Sequence, residues 1–274
     1  VGADFWYALL LGVIQGVSEY LPVSSTAHLV LAQYALGLDP DAFGLTFDAV
    51  VHLGTLLAVA TYFYRDFLHL AAAILRPEVR RKDPAAARLA AGIIIGTVPA
   101  AVLGWLFESR IESEVRHPAL IAATLAGFGV LLWVADLLGR KQAGLETVGP
   151  AKALLLGLAQ ALALVPGVSR SGIVITAGLL LGLRRDDAAR FAFLLSAPVI
   201  AGAGGKKLLE LTRAAAAGYN SWTYALVGLV AAAITGYLAI GFLMRYVRSH
   251  NLGAFTVYRL VLAVVTLGFW VRSG

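Results

Sequence analysis

Apolar positions in this chain fall in long blocks, with the polar positions gathered between them. Six blocks, roughly 47–64, 87–107, 118–138, 188–206, 222–244 and 253–271, approach the ~20 residues a helix needs to cross a bilayer. They predict six membrane-spanning helices. Two further apolar regions, 5–38 and 151–183, are broken near their middles by LPVSST and VPGVSRSG. Each half covers about 14–17 residues, or ~21–26 Å of helix, which is short of a ~30 Å hydrocarbon core. In both regions a proline ends the first half and a hydroxyl-rich turn opens the second. The pattern predicts two re-entrant helix–turn–helix pairs, whose irregular backbone must be enclosed by protein or line a wet cavity. Two kinked full spans are the simpler alternative.

The two broken regions resemble each other. Placing Gln15 over Gln160 also lays Gly12 over Gly157, Val23-Ser24 over Val168-Ser169, and the LGL at Leu36–Leu38 over the LGL at Leu181–Leu183. The chain therefore reads as one membrane domain made of two repeats, about 5–138 and 151–271. Each repeat is a re-entrant pair followed by three spans. Three intervening spans make the second pair enter from the opposite face, an inverted-topology repeat that brings half-helix ends together near the midplane.

Composition agrees with this plan. Of the 274 residues 59% are hydrophobic and only 14% charged, against roughly a quarter charged in soluble domains. No polar stretch is long enough for a separate soluble domain. There are no cysteines, which excludes disulfides and thiolate ligands. The net charge of +6 sits in short loops, as the positive-inside rule expects, and no basic groove interleaved with aromatics suggests nucleic acid. The first residues, VGADFWYALLLGV, lack a cationic stretch and a small-residue cleavage site, so no removable leader is expected there. The 65–88 loop carries Arg65, Arg76, Arg80, Arg81, Lys82 and Arg88 and is expected on the cytoplasmic side. The 108–117 loop is balanced or acidic and is expected outside, although Lys206, Lys207 and Arg213 then also fall outside. The first re-entrant pair thus enters from the outer face and the second from the cytoplasm.

The polar residues inside the apolar blocks carry the chemistry. Gln15 and Glu19 are spaced i, i+4 on one helical face, and an intramembrane ionisable group is expensive enough to suggest function. Ser24, Ser25 and Thr26 open a helix, where unpaired amides and the dipole attract anions. One serine serves as the cap. A spare hydroxyl, with His28 and Glu19 nearby, forms a candidate nucleophile with its base and an orienting carboxylate. In PGVSRSG, Gly167 permits close backbone approach, Ser169 and Ser171 add donors, and Arg170 offers a planar fork suited to phosphate. Arg170 needs an anion, either Glu19 or a phosphate. Asp48 and His52, again i, i+4, are candidates for the same cavity or for a divalent cation. Asp136 is read as an interfacial charge.

QGVSEYLPVSSTAHL together with PGVSRSG resembles the undecaprenyl-diphosphate phosphatases, also called bacitracin-resistance proteins. Their first signature is Glu/Gln-x-x-x-Glu followed by a Pro-Val-Ser-Ser-Thr-Gly-His run, and their second is Pro-Gly-x-Ser-Arg-Ser-x-x-Thr. The resemblance covers the whole chain. It implies a hydrolase acting on a phosphoanhydride in the bacterial cytoplasmic membrane. The reaction removes the terminal phosphate of a C55 polyprenyl diphosphate, which recycles the lipid carrier for cell-wall synthesis and lowers the bacitracin target. By position, Gln15 and Glu19 match the acidic motif, Ser24, Ser25 and His28 the hydroxyl–His run, and Ser169, Arg170 and Ser171 the second motif. Ala27 stands where the first motif has Gly, and Val174 where the second ends in Thr, so any role of that threonine is in doubt here.

The expected mechanism is phosphoryl transfer in a cavity open to the outer face, with the polyprenyl tail between spans. Ser25 attacks the terminal phosphorus, or a water does so. His28 and Glu19 handle the proton, and Arg170 stabilises the charge. Gln15, Ser24, Thr26, Gly167, Ser169 and Ser171 bind the phosphates, with Asp48 and His52 behind them. A divalent cation, Mg²⁺ or Ca²⁺, held through Glu19 is expected to offset charge. A homodimer is a candidate assembly. The rival class is a polyprenyl-phosphate transporter, since inverted repeats with broken helices also build transport sites. An attacking group beside an arginine favours the enzyme, because transport needs no nucleophile.

Overall fold

The computed structural model describes residues 2–107, 117–216 and 222–273, without the side chains of 40–41, 207–216, 222–223 and 272–273. The acidic 108–116 stretch and the side chains of Lys207 and Arg213 lie outside the described residues. Among the described residues the regular structure is helical, apart from one isolated parallel bridge between Ala143 and Leu183.

Six helices are long and apolar enough to cross a membrane, as the block pattern predicts. They lie in α4 (Leu45–Tyr62), α7 (Pro84–Leu106), α8 (Pro118–Leu138), α11 (Arg185–Ala216), α12 (Trp222–Ser249) and α13 (Gly253–Ser273). The start of α7 precedes the expected 87 because Pro84 occupies the first helical turn, where a missing N–H costs nothing, and Asp83 caps it through Ala86 N. The basic segment after the first span is helical rather than a loop: α5 (Tyr64–Leu75) and α6 (Pro77–Lys82) occupy it. Leu70 and Ala73 bury one face of α5 while Leu68 and Leu75 stay exposed on another.

The two broken regions become α1 (Ala3–Tyr20) with α2 (Ser25–Ala35), and α9 (Pro150–Ala161) with α10 (Arg170–Leu180). A residue before proline is pushed out of the helical region. Accordingly Leu21, before Pro22, takes ψ 144°, and Val165, before Pro166, takes ψ 122°. Ser24 and Ser169 then turn the chain with φ 73° and 71°, conformations that cost a non-glycine residue of order 1–3 kcal/mol each. Both serines cap the following helix through the side chain, to Ala27 N and Gly172 N. The far ends also match. Gly37 and Gly182 adopt φ 60° and 86°, and the paired bonds Leu38 N to Gln33 O and Leu183 N to Gly178 O close a Schellman turn in each.

Without water to drive association, helices in a bilayer pack through small residues that let backbones approach. α1 lies along α12, and a Cβ at Gly12 would sit 2.8 Å from Gly228 Cα. α9 lies along α7 in the same way, and a Cβ at Gly157 would sit 2.6 Å from Gly96 Cα. At the centre stands α11, whose apolar window is 61% buried against 22% for α7 and α13. Its Phe193 meets Tyr20 edge-on at 5.2 Å, and the Tyr20 hydroxyl donates to Thr55 O at 2.5 Å, fixing the end of α1 against α4. Asp136, near the end of α8, is 3% exposed: it accepts from Arg185 Nε at 2.6 Å and from Leu252 N at 2.9 Å.

Candidate active site

The two helix breaks meet. From the start of α10, the Ser171 hydroxyl donates to Glu19 O and Leu21 O at 3.2 and 3.0 Å, tying that helix to the end of α1. Each break ends in a serine-capped helix start, so two sets of unpaired N-terminal amides lie close together.

Glu19, 5% exposed, is the hub. Its Oε2 accepts from Ser25 Oγ at 2.6 Å and from Gln15 Nε2 at 3.1 Å, and lies 3.4 Å from His52 Nε2. The Ser25 contact has the length of a charge-assisted O–H···O⁻ bond. His52 Nδ1 faces Asp48 O at 2.6 Å, so the ring is held in place by an oxygen at each nitrogen. Arg170 Nη1 stands 3.9 Å from Glu19 Oε1, within ion-pair range but beyond a hydrogen bond. Among the described residues that buried nitrogen has no hydrogen-bond partner, and neither has Gln15 Oε1. One carboxylate therefore faces a guanidinium and a histidine ring beside two helix N-termini. A hydroxyl held by a carboxylate, with a guanidinium alongside, is equipped for nucleophilic attack on the phosphorus of an anionic phosphate.

Of the residues singled out in the sequence, Gln15, Glu19, Ser25, His52 and Arg170 come together side chain to side chain, and Ser171 joins through the α1 backbone. Ser24 and Ser169 act as caps, and the Ser169 hydroxyl also lies 3.3 Å from that of Ser171. Thr26 is half-buried in the first turn of α2. Gly167 takes φ 90°, and a Cβ there would sit 2.7 Å from Ile121 O. Asp48 is drawn to Gln33 Nε2 at 2.7 Å rather than to Glu19. His28 is not bonded to Ser25. Its Nδ1 donates to Ser24 O at 2.7 Å, which leaves Nε2 to accept from the Tyr258 hydroxyl at 2.6 Å, with the rings stacked 8° from parallel. His52 takes the place beside Glu19 that was expected for His28.

The donor set is a poor match to a resident divalent ion. Among the described residues no group of three or more His, Cys, Asp or Glu side chains is placed to hold a metal. The Glu19 carboxylate already faces Arg170 and His52.

Two residues escaped the sequence reading. Tyr258 engages His28, and the adjacent Arg259, 0% exposed, sends its guanidinium into the breaks. The available signal was a lone arginine inside an apolar block, GAFTVYRLVLAVV, the same signal that drew attention to Arg170.

Residues 8–265 match the family described as bacitracin resistance protein BacA. An undecaprenyl-diphosphatase of Rubrobacter xylanophilus is 50% identical over 260 residues, covering 94% of this chain and 95% of the relative. One of Alcanivorax borkumensis is 45% identical over 268 residues, with 98% and 99% covered. One of Moorella thermoacetica is 45% identical over 266 residues, with 97% and 98% covered.

Proposed function

The chain belongs to the bacitracin resistance protein BacA family, and from that premise we propose that it is an undecaprenyl-diphosphatase whose reaction runs at the Glu19 cluster. The observation that carries the site is the 2.6 Å contact between the Ser25 hydroxyl and Glu19, set beside a buried Arg170 nitrogen that has no hydrogen-bond partner among the described residues. Ser25 Oγ attacks the terminal phosphorus while its proton passes to Glu19. A Ser–O–P bond forms, the phosphoanhydride bond breaks, and undecaprenyl phosphate leaves. Arg170 and His52 take up the charge that builds on the phosphoryl oxygens, together with the amides at the starts of α2 and α10. Glu19 gives the serine proton up to the departing undecaprenyl phosphate, then takes a proton from the water that attacks the phosphoserine and returns it to Ser25 Oγ as phosphate leaves. Holding hydroxyl, base and phosphorus together removes much of the entropic barrier. The nucleophile–base pair supported by the geometry is Ser25–Glu19 rather than Ser25–His28. Mg²⁺ or Ca²⁺ enters this proposal only as a companion of the diphosphate, and no step depends on it.

We also infer two inverted repeats, about 5–138 and 151–271, each opening with a re-entrant pair. Support comes from the matched serine turns, the matched Schellman ends, and the mirrored glycine contacts of α1 with α12 and α9 with α7. The exposed Arg76, Arg80, Arg81, Lys82 and Arg88 between the first two spans favour a cytoplasmic position for that segment. The site then opens to the outer face of the bacterial cytoplasmic membrane.

The test is phosphate release from undecaprenyl diphosphate by purified protein, comparing the parent with Arg170→Gln. The parent is expected to turn over, and the variant to lose on the order of 10²–10³-fold in kcat, the usual loss on removing an oxyanion donor. Parent-like kcat in Arg170→Gln would remove this site from the reaction.

A further inference from the structure

We propose that Arg259 is a positioning residue for phosphoryl transfer: it clamps the two helix breaks together and so sets Ser25 and Arg170 against one substrate. The role rests on the phosphatase reading above, although the clamp itself does not.

The guanidinium is fully buried, yet among the described residues every polar partner recorded for it is a backbone carbonyl. Nη1 donates to Pro22 O at 3.3 Å, in the first break. Nη2 donates to Gly167 O at 2.8 Å and Val168 O at 3.0 Å, in the second. Nε and Nη2 anchor the group to α8 through Leu125 O at 3.1 Å and Thr124 O at 3.3 Å. Burying a charged group is costly unless hydrogen bonds replace its water, and five carbonyls converging on one planar fork supply that replacement. Three of those carbonyls belong to the residues just ahead of the Ser24 and Ser169 turns.

The surroundings are shaped to admit this side chain. A Cβ at Gly129 would sit 3.2 Å from Arg259 Cβ, and one at Gly172 would sit 3.1 Å from Nη1. Pro22 and Gly167 flank chain segments held in unfavourable conformations at Ser24 and Ser169. Such turns persist only where surrounding structure over-determines them. Arg259 grips both, alongside the Ser171 hydroxyl that ties α10 to the end of α1. Among the described residues its hydrogen bonds go to backbone carbonyls, so it acts through where the loops place Ser25 and Arg170. A lysine cannot reproduce this, because an ammonium is a point charge and not a fork.

The absence of cysteines makes the test clean. Spin labels at Tyr34→Cys on α2 and Leu180→Cys on α10, both exposed, report the separation of the two half-helices by pulsed electron resonance. Arg259→Met and Arg259→Lys are each made in that labelled background and, for kinetics, in the parent. The expected result is a broadened distance distribution in both variants. Alongside it kcat should fall by about 10²-fold, as for an ångström-scale misplacement of reacting groups, while KM changes far less. Lysine should recover only part of the kcat lost by methionine. A distribution as narrow as the parent's in Arg259→Met overturns the clamp. A parent-like kcat there, or full rescue by lysine, overturns the positioning role, since charge alone or simple packing would then suffice. Should Arg259→Met not fold in detergent, the lysine variant decides by the same two readouts. Absence of hydrolysis by the parent would defeat the phosphatase reading, while the label distances would still judge the clamp.

Discussion

Replacing Glu19 by Gln keeps the shape of the hub and removes its charge. Ser25 Oγ then faces an amide at the place where a carboxylate accepted its proton at 2.6 Å. Loss of a positioned general base typically costs 10²–10⁴-fold, or about 2.7–5.4 kcal/mol of transition-state stabilisation. The effect on binding runs the other way. The deletion leaves Arg170 and His52 facing the cavity without their shared anion, so an incoming diphosphate meets less repulsion and more unpaired cation. The expected signature is therefore a kcat loss in that range with KM unchanged or lower. Initial rates of phosphate release across substrate concentrations, in mixed micelles of fixed composition, give both constants. A kcat within a few-fold of the parent, or a raised KM with intact kcat, would refute the reasoning. In that case Glu19 would be a counter-ion to Arg170 rather than the base.

His52→Gln removes the ring that faces the Glu19 carboxylate, an interaction with a charged group of the class worth about 1.5–3 kcal/mol, so a kcat loss of roughly 10–100-fold is expected. Combined with Glu19→Gln it should cost less than the product of the single losses, because the two groups act as one unit. Tyr258→Phe frees His28 Nε2 but leaves the Ser25–Glu19 pair untouched; steady-state kcat should stay well above the ~10²-fold loss that removal of a base produces. Gly157→Ala drives a methyl into the Gly96 backbone and should destabilise the fold by about 1–3 kcal/mol, seen as a lower thermal midpoint in detergent, with kcat per folded molecule preserved.

The sequence carried the helix breaks and their ends plainly, because each has a local cause. Proline expels its predecessor from the helix, a serine caps, and a glycine closes the turn, so LPVSST, VPGVSRSG and both LGL triplets announce their geometry. It also held Gln15, Glu19 and Ser25 within one short stretch, and Arg170 could be paired with Glu19 through the repeat. What it could not supply was the register of distant helices. His52 reaches Glu19 only because α4 packs against α1, and no spacing rule links residues on separate spans. His28 shares a helix face with Ser25, yet its side chain is turned away by Tyr258, whose position depends on how α13 lies against α2. Arg259 stands in the sequence as a lone arginine within an apolar block. Its meaning comes from carbonyls contributed by three separate segments. The α5–α6 helices were missed for a different reason, since a run of arginines reads as a loop unless the buried Leu70–Ala73 face is weighed against it.

The central claim is that the Ser25 hydroxyl is the nucleophile that Glu19 holds. Its most direct test is the single turnover of undecaprenyl diphosphate carrying a labelled terminal phosphate, quenched in acid and followed on purified parent and Ser25→Ala protein. Label is predicted to pass through Ser25 in the parent, with turnover in Ser25→Ala reduced by at least ~10³-fold, the scale of losing a nucleophile that acts as a unit with its base. Parent-like turnover by Ser25→Ala would contradict the account and assign the attack to water.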